Sequence, residues 1–213
     1  QAMEEPNWKD SNRTKIAFLD AAFRGVGGVR CIFGELQFGE EVVEADPSQI
    51  ITNLISQSPS ANSGRQILAL IGTLLVPIKP GSADESPEDQ IVEFVKDECD
   101  RRGIEPGNFF FDAGMRTSLL QAFVRRWSGG VQSIDFGGKP TERHVSAAID
   151  IPANEYYSKL VTELWFNVAH IIEAGQFRGM TEDTMMEGCA REWTMVAGNK
   201  REVEPKDKMK DKT

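Results

Sequence analysis

The sequence predicts an α/β domain built on a mixed five-stranded sheet, three antiparallel strands followed by parallel ones, with helices on its faces. Three observations carry that expectation. Strand-like apolar runs come first, separated by glycine-rich or polar turns; from Pro87 onward amphipathic helices alternate with strands; and two runs, KIAFLD and NFFFD, end in an aspartate where a buried strand meets a loop. In open α/β sheets, ligands gather at such strand ends.

Residues 1 to 14 are polar and are expected to form an arm or linker, leaving 15 to 213 as one domain. Residues 15 to 21 read as the first strand, and Gly25, Gly27 and Gly28 turn the chain into VRCIFGELQFG, its antiparallel partner. Asp46-Pro47 offers a cap and a first helical position for a short helix to about Ile55. QSPSANSG reads as a loop and RQILALIGTLLVPI as a third strand. After a polar loop, Ser86-Pro87 opens a helix whose buried face is Ile91, Phe94, Val95 and Cys99, closed by Gly103. NFFFDAG lacks alternation, as a parallel strand buried on both faces does. Leu119, Leu120, Phe123, Val124 and Trp127 mark a second helix, and VQSIDF a further strand. The longest helix is expected over about 154 to 174, with Tyr157, Leu160, Val161, Leu164, Trp165, Val168 and Ile172 on one stripe and Gly175 at its end. This is the element order of the ribonuclease H-like fold.

At 213 residues the chain suits one well-buried core, and no apolar run is long enough to span a bilayer. The N-terminus QAMEEPNWKD has no basic start followed by an apolar segment, which predicts a cytoplasmic protein, within a host cell if phage-encoded. Gln1 and the charged end KREVEPKDKMKDKT suggest a piece of a longer chain. Cys31, Cys99 and Cys189 lack the close pairing of zinc sites and read as reduced thiols. The net charge of -9 argues against a protein that coats nucleic acid by bulk electrostatics, although metal-dependent nucleases need carboxylates.

Two-metal hydrolysis of a phosphodiester requires carboxylates holding Mg²⁺ ions on the order of 3.5 to 4 Å apart. In the fold just derived, the first strand and the strand after the first helix lie side by side and parallel, so that Asp20 and Asp112 face each other. A lone aspartate at a strand end is ordinarily a turn former. Two, each interrupting a buried run at matching places, read as one metal site, because a buried acid is costly to keep. His144 and His170 lack partner spacing, and Trp127, Trp165 and Trp193 fall on apolar helix faces as core residues. The chain has no phosphate-binding loop, no G-x-S-x-G, no C-x-x-C and no H-E-x-x-H.

The Asp20 strand with its glycine turn, FFFDAGMRTSLLQAF, WSGGVQSIDFGGKPTER, YYSKLVTELWFNVAHIIEAGQF and KREVEPKDKMKDKT come in an order that resembles the C-terminal nuclease domain of the large terminase subunit of tailed bacteriophages. The resemblance covers most of residues 15 to 213, least from 40 to 65. It implies a ribonuclease H-like fold related to Holliday-junction resolvases, and a metal-dependent endonuclease that cuts concatemeric double-stranded DNA during packaging with Mg²⁺ or Mn²⁺. It implies Asp20 and Asp112 as catalytic metal ligands, and Arg24 and Lys139 as phosphate contacts, against the plainer reading of both as solvated charges. The partners it implies are double-stranded DNA, a portal protein, a small terminase subunit and an upstream ATPase domain of the same polypeptide. Val29, and Met115 with Arg116, depart from the family's turns, and the family's third acid is expected beyond Thr213, with Asp207 or Asp211 as lesser candidates in a charged tail. Two further readings follow: a non-catalytic docking module of a packaging motor, and a resolvase-like nuclease acting on branched DNA.

Overall fold

The computed structural model describes residues 6–9, 13–24, 28–42, 65–79, 85–112, 117–146 and 148–205. The helix expected from Asp46 and the QSPSANSG loop lie outside them. Two compact units divide the chain: Gln1–Phe111 with Ala122–Gln132 and Gln176–Gly179, and Asp112–Gln121 with Ser133–Gly175 and Met180–Thr213.

Strand β1 (Thr14–Arg24) runs antiparallel to β2 (Gly28–Glu41), which runs antiparallel to β3 (Arg65–Leu75). Strand β4 (Phe109–Asp112) then pairs parallel with β1, Ala17 opposite Phe109 and Leu19 opposite Phe111. With β5 (Gln132–Ile134) and β6 (Phe177–Arg178) the order across the sheet is β5-β4-β1-β2-β3-β6. An antiparallel meander whose first strand takes a parallel neighbour on its other side is the ribonuclease H-like arrangement. Among the described residues the sheet has six strands rather than five. The added one is two residues long, parallel to β3, held by the Leu68 N–H on the Gln176 carbonyl at 2.8 Å and by the Arg178 guanidinium on Glu41 at 2.6 Å. So short a segment shows no alternation by which to read it.

Side chains alternate across a strand. Ala17 and Leu19 are therefore buried on one face of β1, and Phe18 and Asp20 point to the other. Phe18 lies over Gly34, its partner in register, so closely that a Cβ there would stand 2.2 Å from the ring. Helix α1 (Pro87–Arg102) begins as expected: the Asp89 N–H donates to the Ser86 hydroxyl at 3.1 Å, Pro87 takes the first turn, and Gly103 closes the helix at φ 65°. Its buried face is Ile91, Val92, Val95 and Cys99; Phe94, expected there, is half-buried and meets Phe33 edge-on at 6.4 Å.

The last turn of α1 is tied to the sheet through a buried acid. Glu35 accepts from the Arg102 guanidinium and from the Gln37 amide at 2.6 Å, and the Arg102 carbonyl accepts from Lys15 at 2.8 Å. Burial works to lower the Arg102 pKa, but hydrogen bonds to Glu35 and Glu98 outweigh it and hold it above its ordinary value. A charge-assisted network of this kind compensates the desolvation of Glu35. On the same unit Phe109 and Phe111 pack against Phe123 at 5.0 Å each, and Phe109 against Trp127 at 5.4 Å. Phe123 belongs to helix α2 (Thr117–Arg126), where Leu119 is also buried; Val124, expected on the buried side, is 50% exposed.

In the second unit the long helix is broken. Helix α3 (Ala153–Tyr156) stops, Tyr157 and Lys159 are extended, and α4 (Leu160–Glu173) begins anew. The cause is strand-like pairing with β8 (Lys200–Val203): Tyr157 bridges Arg201, the Ser158 N–H donates to the Arg201 carbonyl at 2.9 Å, and the Ser158 hydroxyl donates to Glu202 at 2.6 Å. Of the expected stripe, Tyr157 is buried, while Val168 and Ile172 are exposed; Thr162 and Glu163 are the buried residues of α4. Gly175 ends this region at φ 64°, as expected. Helix α5 (Glu182–Cys189) and the hairpin of β7 (Trp193–Val196) with β8 complete the unit. Trp193 therefore stands on a strand, 43% exposed, and not on a helix face. No helix among the described residues is long and apolar enough to cross a membrane.

Two outcomes follow from this packing. Gly34→Ala forces Phe18 from its place and lowers stability by about 1 to 3 kcal/mol, read from the denaturant midpoint. Burial, with Asp100 beside it, pushes the Cys99 thiol up to about 12, whereas Cys189 is exposed. In the native protein at pH 8, a thiol reagent therefore labels Cys189 and spares Cys99 until denaturant is added.

Candidate functional site

Leu19 and Phe111 are the last paired residues where β1 and β4 run side by side, and the next residue on each strand is an aspartate. Asp112 is the last residue of β4, whereas Asp20 lies inside β1, which runs on to Arg24 paired with β2 rather than meeting a loop at the aspartate as expected. Both carboxylates are exposed. The cost of burying an acid, invoked for them on sequence, therefore does not apply.

Arg24 ends β1 opposite Gly28, and its side chain lies outside the described residues. Lys139 is an exposed side chain in the segment after β5, between Gly138 and the buried Pro140. Asp207 and Asp211 lie outside the described residues. His144 is partly exposed with its Nδ1 2.5 Å from Asp150, and His170 is exposed on α4. Neither approaches a cluster of ligating groups: among the described residues, no three His, Cys, Asp or Glu side chains are gathered to hold a metal. The carboxylates of Asp20 and Asp112 are hard oxygen donors of the type that Mg²⁺ and Mn²⁺ accept alongside several waters. By donor chemistry they fit part of such a site, and a complete two-metal set needs at least one more acid.

A second polar arrangement was missed in the sequence. The segment 136–143 lies against α3 and the start of α4. The Leu160 N–H donates to the Gly138 carbonyl at 2.9 Å and the Val161 N–H to the Phe136 carbonyl at 3.0 Å, so that this segment caps the helix in place of a side chain. Buried Glu163 accepts from the Thr141 N–H at 2.7 Å and from its hydroxyl at 2.6 Å. Thr141, Arg143, Glu163, Asn167 and Tyr157 also line a cavity of about 180 Å³. The Tyr157 hydroxyl is buried with no hydrogen-bond partner among the described residues, and burial together with the Glu163 charge raises its pKa. The available signal was a carboxylate inside the apolar run LVTELWF, where a buried acid needs donors from elsewhere.

No protein-family model matches the chain, and no curated protein matches it. Among solved structures it is similar to a mutant nuclease domain of the large terminase subunit gp2 of bacterial virus Sf6, with manganese and beta-thujaplicinol: TM-score 0.49, 10% identity, over 93% of this chain and 80% of that one. Strand order and direction carry the ribonuclease H-like arrangement.

Exposure makes Asp20 dispensable for folding. Asp20→Asn leaves the denaturation midpoint within about 0.5 kcal/mol of the parent, measured by urea titration without divalent metal.

Proposed function

We propose that the chain is a metal-dependent endonuclease domain that cuts double-stranded DNA, of the kind that trims concatemeric genomes during phage packaging. The observation that supports it is the β1–β4 register, in which the residue after the last parallel pair is an aspartate on each strand of a ribonuclease H-like sheet. Adjacent strands lie about 4.8 Å apart, a spacing at which two carboxylates can share a divalent ion. Asp20 and Asp112 are the residues that hold it. When bound there, a divalent metal would lower the pKa of a water so that it gives up a proton and becomes a nucleophile toward phosphorus, and would set positive charge against the leaving oxygen. The chain itself fixes the two carboxylates on strands rather than loops, so that little ordering remains to be done when substrate arrives. Arg24 and Lys139 are proposed to contact phosphates flanking the scissile bond, and a further acid is proposed to follow Thr213 in the longer polypeptide. An upstream ATPase domain, a portal and a small terminase subunit are its proposed partners. Work in the cytoplasm of an infected cell follows from the same reading.

The absence of a third acid among the described residues favours, as a second reading, a docking module that has kept the fold and lost cutting. Supercoiled-plasmid cleavage with Mn²⁺ separates the two. The nuclease reading expects metal-dependent nicking, with Asp20→Asn and Asp112→Asn each lowering the rate by ~10²-fold or more. Silence from this chain and from one extended past Thr213, both folded by circular dichroism, overturns it. Branched and linear duplexes compared in the same assay separate a packaging nuclease from a resolvase-like one.

A further inference from the structure

We infer that Glu163 is a positioning residue for a DNA-backbone contact: through Thr141 it sets the 136–143 segment so that Lys139 and Arg143 are presented to phosphates. The inference rests on the DNA-binding part of the reading above, and not on cleavage.

Glu163 is 5% exposed, and its two oxygens accept from one residue, the backbone N–H and hydroxyl of Thr141. Among the described residues it enters no ion pair with Lys, Arg or His. A buried carboxylate satisfied only by a neutral loop residue is an expensive way to fill space, and an apolar side chain of similar volume serves packing better. What the carboxylate adds is direction. The Thr141 hydroxyl donates to Glu163 and accepts the Arg143 N–H at 3.3 Å, so one acid orders the backbone on both sides of Glu142.

The rest of the segment is held in the same manner. The Asn154 N–H donates to the Thr141 carbonyl at 2.9 Å and the Ala153 N–H to the Arg143 carbonyl at 2.7 Å. Gly138 is fixed on the far side by Leu160, and a Cβ on it would stand 3.0 Å from the Asp135 carbonyl oxygen. Lys139 sits between these clamps with buried Pro140 behind it. Packing alone does not hold the segment, because the cavity of about 180 Å³ lies beside Thr141 and Arg143. Its shape depends on hydrogen bonds, and the Glu163 pair comes from a buried charged group. The side chains of Lys139 and Arg143 are exposed and without an ion-pair partner among the described residues, whereas Asp135 is spent on the Gly137 N–H at 3.0 Å. Cations on a clamped backbone bind phosphate with less ordering cost than the same cations on a loose one.

The test is the affinity of a fluorescent DNA duplex, by anisotropy in EDTA over a range of salt, for the parent chain, K139A/R143A, E163A, E163Q, T141V and the triple variant E163A/K139A/R143A. We expect K139A/R143A to weaken binding ~10-fold or more and to flatten the slope of log affinity on log salt by about 2. E163A is expected to reproduce most of both effects and to add little in the triple variant, because it acts through the same two cations. E163Q restores binding, since its amide oxygen still accepts from Thr141, and T141V falls between. T141V also carries the test if E163A fails to fold. E163A and T141V with parental affinity and slope overturn the inference. So does a loss that multiplies fully with K139A/R143A, a silent K139A/R143A, or a parent chain that binds no duplex. The expected pattern in a chain that never cuts DNA in Mn²⁺ still supports it, while the nuclease reading falls.

Discussion

The parallel pairing of β1 with β4 is the constraint on which the rest depends. Two parallel strands cannot be joined by a tight turn, so the chain between them must leave the sheet and return. After β2 and β3 have extended the sheet it does so through α1, and the Glu35–Arg102 bond, with Lys15 on the Arg102 carbonyl, fixes where α1 ends before the chain re-enters. The three phenylalanines of β4 supply the adhesive. Phe109 and Phe111 fill the helix-covered side against Phe123, and each fully buried aromatic contributes about 1.5 to 3 kcal/mol. The step beyond the last pair then delivers an aspartate on each strand.

The second unit follows a different logic. Its apolar cluster is small, Val145, Ala153 and Tyr157 with Ile149, Tyr156 and Phe166 around them, and much of its order comes from backbone hydrogen bonds between its segments, Leu160 with Gly138 and Ser158 with Arg201 among them. The Arg201 guanidinium lies 4.0 Å over the Tyr156 ring and 5.2 Å from that of Trp193, joining the hairpin to α3 through a cation and a polarisable face. Where a core is thin, such contacts define the shape.

What was legible in the sequence is what periodicity and capping encode. The meander, the Ser86-Pro87 start and Gly103 stop of α1, the phenylalanine strand and its aspartate all announce themselves within a window of a dozen residues. The parallel pairing of β1 with β4 was reachable because the order of elements left one sensible topology. The break at Tyr157–Lys159 was not. Local hydrophobic spacing runs through it without interruption, and only the pairing of Ser158 with Arg201, a contact across more than forty positions, shows why the helix must stop. The same holds for β6, whose two residues are a strand only because β3 offers an edge. The loop that carries Lys139 could be read, but not what holds it, since Glu163 reads as one acid in an apolar stripe until Thr141 is placed beside it.

The β1–β4 register carries a consequence for synthesis of the chain. Ala17 must wait for Phe109, about ninety residues later, which at ribosomal speeds of roughly 5–20 residues per second is on the order of 5 to 20 seconds. During that interval the nascent β1–β2–β3 meander has a hydrophobic face without α1 to cover it and a β1 edge without its neighbour. Such an edge recruits whatever extended segment is near, including a second nascent copy. A high contact order of this kind also slows refolding from denaturant. Yield on expression is thus set less by the final stability of the sheet than by how long its first three strands stand alone.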